Sequence, residues 1–350
     1  MQLYRVKEKM DIFCLLILSS VLVLVSFFIK NSYYLLILNL IGLNTMMVIG
    51  LNLFIGYAGQ ISLGHAAFYG IGAYLSAIVN THFNLSLFFP FWFPQWCIPW
   101  IVIFLAMFCT GVVAYLVGVP TMKLKGNYLV MATLGFNIIF ELVLVEWHSL
   151  TGGSNGMAGV PYLAVGNFFL NSDIRYYYFI WSFTLFTLII SFNLIDSRVG
   201  RALKAIHGSE VAANMVGINA HKYKVKIFVV SAMIASLAGS IYAHYITVIT
   251  PKSFDANFSI QLVLMVIVGG MGSIWGSLFG AILLVLLSEV FHVLGSLNVV
   301  VLGLILILVM IFFPRGLIPS IFSLFKEKVP TKTPVNFHNL ETNIKNEESF

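Results

Sequence analysis

The chain has 350 residues, of which 60% are hydrophobic and 9% are Asp, Glu, Lys or Arg. A soluble domain averages about 25% charged residues, so this supply cannot cover a water-facing surface, and lipid is the solvent for most of the chain. The net charge of +6 sits in short loops between apolar runs, which speaks against nucleic acid as a partner and fits the positive-inside bias of membrane proteins.

In chain order, Arg5, Lys7 and Lys9 precede an apolar stretch that continues to Ile29. No short apolar core with an A-x-A site follows, so the stretch reads as a first membrane helix rather than a cleaved leader. A crossing takes about 20 apolar residues, and such runs predict ten helices: 12–29, 34–55, 60–80, 97–119, 127–146, 176–195, 221–248, 257–275, 277–294 and 297–313. The pair 257–275 and 277–294 can also be one kinked unit, giving nine. A β-barrel would need alternating strands of about 10 residues, whereas Leu283–Leu287 and Val299–Phe313 are continuously apolar. The expected fold class is therefore an all-α polytopic membrane protein.

With the N-terminus inside, parity places 1–11, 56–59, 120–126, 196–220 and 314–350 in the cytoplasm. These segments and the start of the helix at 221 carry Lys123, Lys125, Arg198, Arg201, Lys204, Lys222, Lys224, Lys226, Arg315, Lys326, Lys328 and Lys332. The outer loops carry Lys30, Arg175 and Lys252. This asymmetry predicts cytoplasmic termini. The membrane domain spans 12–313, and the tail 314–350 is polar and of mixed charge, with the composition of a disordered segment from 329 onward. The run Phe88 to Trp96 reads as an interfacial aromatic belt.

Candidate functional segments follow from polarity and glycine. Residues 56–68, GYAGQISLGHAAF, set Gly56, Gly59 and Gly64 beside Gln60, Ser62 and His65. Small residues let helix backbones approach, and polar groups at membrane depth need partners or a water-filled cavity. The segment is either a broken helix beside a permeation path or small-residue packing with His65 satisfied by a neighbour. Its start, Gly56-Tyr-Ala-Gly59-Gln-Ile61, is echoed by Gly269-Gly-Met-Gly272-Ser-Ile274. Transporter cores built from repeats place glycine-interrupted segments at their binding region. The outer stretch Thr151 to Pro161, with Asn155 within it, reads as a gate or a tight turn-rich connection. Glu141 and Glu146 lie toward the outer end of the preceding helix.

The segment 196–226 is too long for a simple connection. Ala202, Leu203 and Ile206 recur at helical spacing, Gly208 interrupts, and Ser209 can cap a second short helix in which Val211, Ala212 and Met215 share a face. Gly217 suits a helix C-terminus, and Asn219 can cap the next helix. This predicts a short helical hairpin on the inner surface, either membrane-bound or docked to a partner through Glu210 and the Ala212–Ala213 pair.

Several motifs are missing. There is no GxxxxGK[ST] phosphate loop, no GxSxG or HExxH, and no Cys/His cluster for a metal. Cys14, Cys97 and Cys109 have neither metal nor disulfide spacing. No cofactor is expected. Intramembrane carboxylate arrays of a proton pump are also missing, so energy for transport would come from a partner.

Five ordered segments carry a resemblance: GYAGQISLGHAAFYGIGAY at 56–74, LKGNYLVMATLGF at 124–136, TGGSNGMAGVP at 151–161, GRALKAIHGSEVAANMVGINAHKYK at 200–224 and VIVGGMGSIWGSLFGA at 266–281. Together the chain resembles the branched-chain amino-acid ABC permease family, the LivM type, from about residue 35 to 315. The resemblance implies an ABC importer permease in a bacterial inner membrane. Its partners would be a homologous second permease subunit, two cytoplasmic ATPase subunits and an extracytoplasmic solute-binding protein. It implies ATPase coupling through Arg201, Glu210, Ala212, Ala213 and Gly217, since Glu210 to Gly217 resembles the Glu-Ala-Ala-x3-Gly loop of ABC importers. Two departures stand out: Val211 separates Glu210 from the alanines, and His207-Gly208-Ser209 stands where many relatives are more basic. The substrate path is expected beside Gly59, Gln60, Ser62, His65, Asn155, Gly269 and Gly272, and beside polar positions of helices 34–55 and 257–275. Rival readings are a urea or short-amide permease of the same superfamily, a self-sufficient channel or secondary carrier, and a membrane enzyme. The last lacks convergent catalytic groups at one depth.

Overall fold

The computed structural model describes residues 2–29, 31–82, 94–166 and 168–291, with isolated positions between 303 and 320. The aromatic run 88–93, most of the predicted helix 297–313 and the tail from 321 lie outside the described residues.

The helices are α1 Gln2–Phe28, α2 Ser32–Ala58, α3 His65–Thr81, α4 Ile98–Thr121, α5 Asn127–Glu146, the single turn α6 His148–Thr151, α7 Asp173–Asp196, α8 Arg198–Gly208, α9 Glu210–Met215, α10 Ala220–Ile246, α11 Ala256–Gly269 and α12 Ile274–Phe291. Seven helices among the described residues are long and apolar enough to cross a membrane. The 17-residue α3 and the apolar part of α1, Phe13–Phe28, are shorter.

Residue pairs fix the relative directions. His65–Ser231 and Ser76–His244 set α3 parallel to α10. Thr110–Ser236 and the Gly118–Phe228 contact set α4 antiparallel to α10. Asn39 to the Asp173 carbonyl and Thr184 to the Gly42 carbonyl set α7 parallel to α2. Asn52–Ser277 and Tyr33–Glu289 set α12 antiparallel to α2. One end of the bundle therefore holds α8, α9 and the turns 59–64, 122–126 and 270–273, and is called the hairpin end. The last turns of α1 touch the first turns of α7, through Tyr177 and Leu22 at 2.9 Å, so α1 starts at the hairpin end too. Lys123, Lys125, Arg198, Arg201, Lys204, Lys222, Lys224 and Lys226 all gather there.

The opposite end is capped by two short antiparallel strand pairs. Strand β1, Met157–Ala158, pairs with β4, Val248–Ile249. Strand β2, Ala164–Val165, pairs with β3, Phe168–Phe169. The stretch expected only as turns is thus stitched to the chain that follows α10.

The core is mainly hydrophobic, and the bundle also turns apolar faces outward. Buried hydroxyls and imidazoles bond across helices inside, as in Thr110–Ser236 at 2.9 Å. Phe104 and Phe108 of α4 and Met131 and Ile139 of α5 are exposed. Such faces are stable against lipid or another apolar surface.

Four boundaries differ from expectation, the first being that helix α1 starts at Gln2 rather than at 12. Helix α3 starts at His65 rather than at 60, because 59–64 is non-helical. Helix α11 ends at Gly269 rather than at 275, and α12 starts at Ile274 rather than at 277. Nor are α11 and α12 one kinked unit: Gly269 abuts Gly276 and Gly280 abuts Met265, so the two helices fold back antiparallel. Hydropathy does not place these breaks because each turn is short and its polar residues, Gln60, Ser62 and Ser273, are interspersed with apolar residues and glycine.

Candidate functional site

The hairpin is built by local capping. Ser197 Oγ accepts from the Val199 and Gly200 amides and starts α8, whose Ala202, Leu203 and Ile206 turn inward. Ser209 Oγ accepts from the Ala212 amide at 3.3 Å and starts α9. Gly217, at φ 84°, ends it, and Asn219 Oδ1 accepts from the Lys222 amide at 3.1 Å to start α10. Ile206, Ala213 and Ala220 meet in a small core. The two alanines of α9 therefore part: Ala213 is enclosed, while Ala212 faces out with Val211, Met215 and Val216. These three large side chains are 67%, 82% and 75% exposed. They form an uncovered apolar knob at the end of the bundle.

Lys224 Nζ donates to Glu210 Oε2 at 2.6 Å. It is the one ion pair among the described residues, and Lys224 is 2% exposed against 35% for Glu210. Glu210 thus anchors α9 to α10 rather than projecting freely. Arg201 is exposed, and its Nη1 donates to the Asp196 carbonyl at 3.0 Å. From sequence, Lys224 is one more inner-surface cation. Its burial is set by the fold of α9 over α10, and no spacing signals it.

The two echoed glycine segments meet beside this hairpin. A Cβ on Gly56 would lie 2.1 Å from the Gly272 nitrogen, so only bare backbone fits. Asn52, 1% exposed, clamps the contact. Its Oδ1 accepts from the Gly272 amide at 2.9 Å, and its Nδ2 donates to the Ser273 carbonyl at 2.8 Å and Ser277 Oγ at 2.7 Å. The amides freed by the 59–64 break find hydroxyls: Leu63 N donates to Thr133 Oγ1, Gly64 N to Ser62 Oγ and Ala66 N to Ser259 Oγ. Irregular backbone at membrane depth requires such satisfaction. On the hairpin side, the His207 ring packs on Gly59 and Lys204 Nζ lies 5.8 Å from the centre of the Tyr57 ring. Helix α8 is therefore seated on the end of α2.

Of the expected path residues, Gly59, Gln60, Ser62, His65 and Gly272 gather at this junction. Gly59 is exposed, Gln60 and Gly272 are half-buried, and Ser62 is enclosed. His65 is enclosed too, with Nε2 2.6 Å from Ser231 Oγ and the rings of Phe54, Phe68 and Phe228 around it. Gly269 is buried against α12. Asn155 is exposed at the opposite end, in the turn Gly153–Asn155. Glu141 is half-buried beside Asp255 and the Ala256 amide, and Glu146 is exposed. Among the described residues, no three His, Cys, Asp or Glu side chains gather to hold a metal.

A bundle of long apolar helices, with apolar faces turned outward, hydroxyls and imidazoles bonded to one another within its core, and glycine-broken segments meeting at its hairpin end, defines a polytopic membrane protein of the transporter class. The family model for branched-chain amino acid transport system permease components matches residues 33–310, and the chain belongs to that family. The family is one of ABC transporter permeases, which are membrane transport subunits rather than enzymes. The chain is similar to the high-affinity branched-chain amino acid permease protein LivM of Escherichia coli, 30% identical over 77% of this chain and 66% of that one. It thus spans about two thirds of that relative's length. It is also similar to LivH of Salmonella typhimurium, 26% identical over 78% of this chain and 90% of that one. The ribose import permease RbsC of Escherichia coli is 31% identical over 33% of this chain and 38% of its own. No solved structure matches.

Proposed function

We propose that the chain is a permease subunit of an ATP-driven importer of branched-chain, hydrophobic amino acids in a bacterial inner membrane. The observation that carries this reading is the uncovered knob of Val211, Met215 and Val216 on a helix tied back to the bundle by the Glu210–Lys224 pair. A partner gripping that knob moves α10, and with it α2, α3 and α4. The crowd of basic side chains at the hairpin end supports a cytoplasmic location for it and for the chain termini. Two ATPase subunits would bind there, with Arg201, Glu210, Ala212, Ala213 and Gly217 forming or supporting the contact. The names of the LivM and LivH relatives support the substrate class and a second, homologous permease subunit. A binding protein would deliver the amino acid at the strand end, near Asn155.

Ten crossings complete the bundle in this reading, the tenth being 297–313. The path runs beside the glycine junction, with Gly59, Gln60 and Gly272 at its mouth and Ser62, His65 and Gly269 in the wall behind. Rocking of the helices about this junction gives alternating access.

Reconstitution tests the reading. Proteoliposomes holding this chain, the second permease and the ATPases are expected to take up leucine only with internal-face ATP and binding protein present. Uptake by this chain alone would contradict the importer, and uptake of urea in place of leucine would contradict the substrate class.

A further inference from the structure

A groove of about 700 Å³ opens on the flank of the bundle at the hairpin end. That is the size of a ligand site, about 300–1,000 Å³. Its walls are mostly apolar, through Val119 of α4, Leu194 of α7, and Val225 and Val229 of α10, with His221 beside them. Lys222 and Lys226 line its rim one helical turn apart, and no acidic side chain lines it. Both lysines are exposed, and neither enters an ion pair among the described residues. The groove also continues an exposed apolar face of α4 through Phe104, Phe108 and Tyr115, which are 67%, 67% and 56% exposed.

We propose that this groove binds one anionic phospholipid, with an acyl chain between α4, α7 and α10 and the phosphate between Lys222 and Lys226. The chemistry matches at both ends. A wall that is apolar apart from His221 selects hydrocarbon, and two ammonium groups outside any ion pair, Lys226 lying 5.9 Å from the centre of the Tyr223 ring, select a phosphodiester with net negative charge. Lysine stems lie along apolar surface while their heads reach the headgroup layer. A protein segment would have to satisfy its own backbone inside a groove that offers almost no polar partner. The site borders α10 just past the Glu210–Lys224 pair, so its occupant wedges the helix that carries the hairpin. The inference goes beyond the transport reading and holds whichever solute the bundle carries.

Native mass spectrometry of the full-length chain, with any subunits that copurify, tests it after extraction from mixed phosphatidylethanolamine–phosphatidylglycerol vesicles. The wild type is expected to retain phosphatidylglycerol in preference to phosphatidylethanolamine. Lys222→Gln with Lys226→Gln should lower the retained phosphatidylglycerol roughly tenfold, while Lys222→Arg with Lys226→Arg keeps it. Val229→Trp, which fills the groove, should lower retention with both lysines intact. A photoreactive group at Val229 should cross-link to lipid. Equal retention of the two lipids, no change in the glutamine variant of a folded protein, or a cross-link from position 229 to another subunit would overturn the assignment.

Discussion

Glu210→Ala is expected to destabilise the protein more than Lys224→Met, although each removes the same ion pair. Lys224 is 2% exposed and Glu210 is 35% exposed. Deleting the carboxylate leaves an ammonium enclosed between α9 and α10, and breaking a buried pair in this way costs about 3–5 kcal/mol. The partly solvated carboxylate places this case near the lower edge. Deleting the lysine keeps the apolar stem as methionine and leaves a carboxylate that water can reach, at about 1 kcal/mol or less. Glu210→Lys adds a second positive charge and should be the most damaging of the three. The double variant Glu210→Ala with Lys224→Met should recover most of the loss, since no buried charge remains. Thermal unfolding in detergent reads the order. Equal effects of the two single variants would mean that Lys224 is not buried when α9 is seated.

Gly239→Ala and Gly72→Ala should prevent the bundle from accumulating. Helices α3 and α10 run so close that a Cβ on Gly239 would lie 1.9 Å from the Tyr69 carbonyl oxygen, and one on Gly72 would lie 2.2 Å from that of Ser236. These neighbours are backbone and cannot swing aside. Either methyl forces the helices apart, and overpacking alone costs about 1–3 kcal/mol. Separation also stretches the bonds that straddle the crossing: His65–Ser231, Ser76–His244 and Ser240 to the Gly72 carbonyl. Each such bond in a membrane bundle is worth about 0.6 kcal/mol. Gly135→Ala is the control, because a Cβ there meets nothing within 4 Å. Expression with size-exclusion profiles checks all three, and a wild-type profile for Gly239→Ala would contradict the close crossing.

The positions of the long helices and the hairpin were readable, because hydropathy reports distance from water and capping is local. Ser209, Gly217 and Asn219 each do what their residue type suggests. Partners distant in sequence were not readable. Asn52 bonds the Gly272 amide 220 positions away, and nothing periodic announces that. Lys224 was counted with the inner-surface cations because a basic residue at a helix start ordinarily stays in water. The Ala212–Ala213 pair looked like one feature, yet α9's orientation buries Ala213 and exposes Ala212. The echo of Gly56 and Gly269 was visible, and the fold adds that the two segments touch. A broken helix within 56–68 is one of the two readings the sequence offers; the extent of the break, 59–64, depends on Ser62, Thr133 and Ser259, two of which lie on other helices.

The central claim is that another protein grips the knob on α9. A photoreactive amino acid at Met215, 82% exposed and outside every buried cluster, tests it in intact cells. The account predicts one dominant protein adduct whose partner carries a nucleotide phosphate-binding loop, and loss of that adduct when Val211 and Val216 are changed to Asp. Adducts to lipid alone would contradict it and would make α9 a membrane-surface helix.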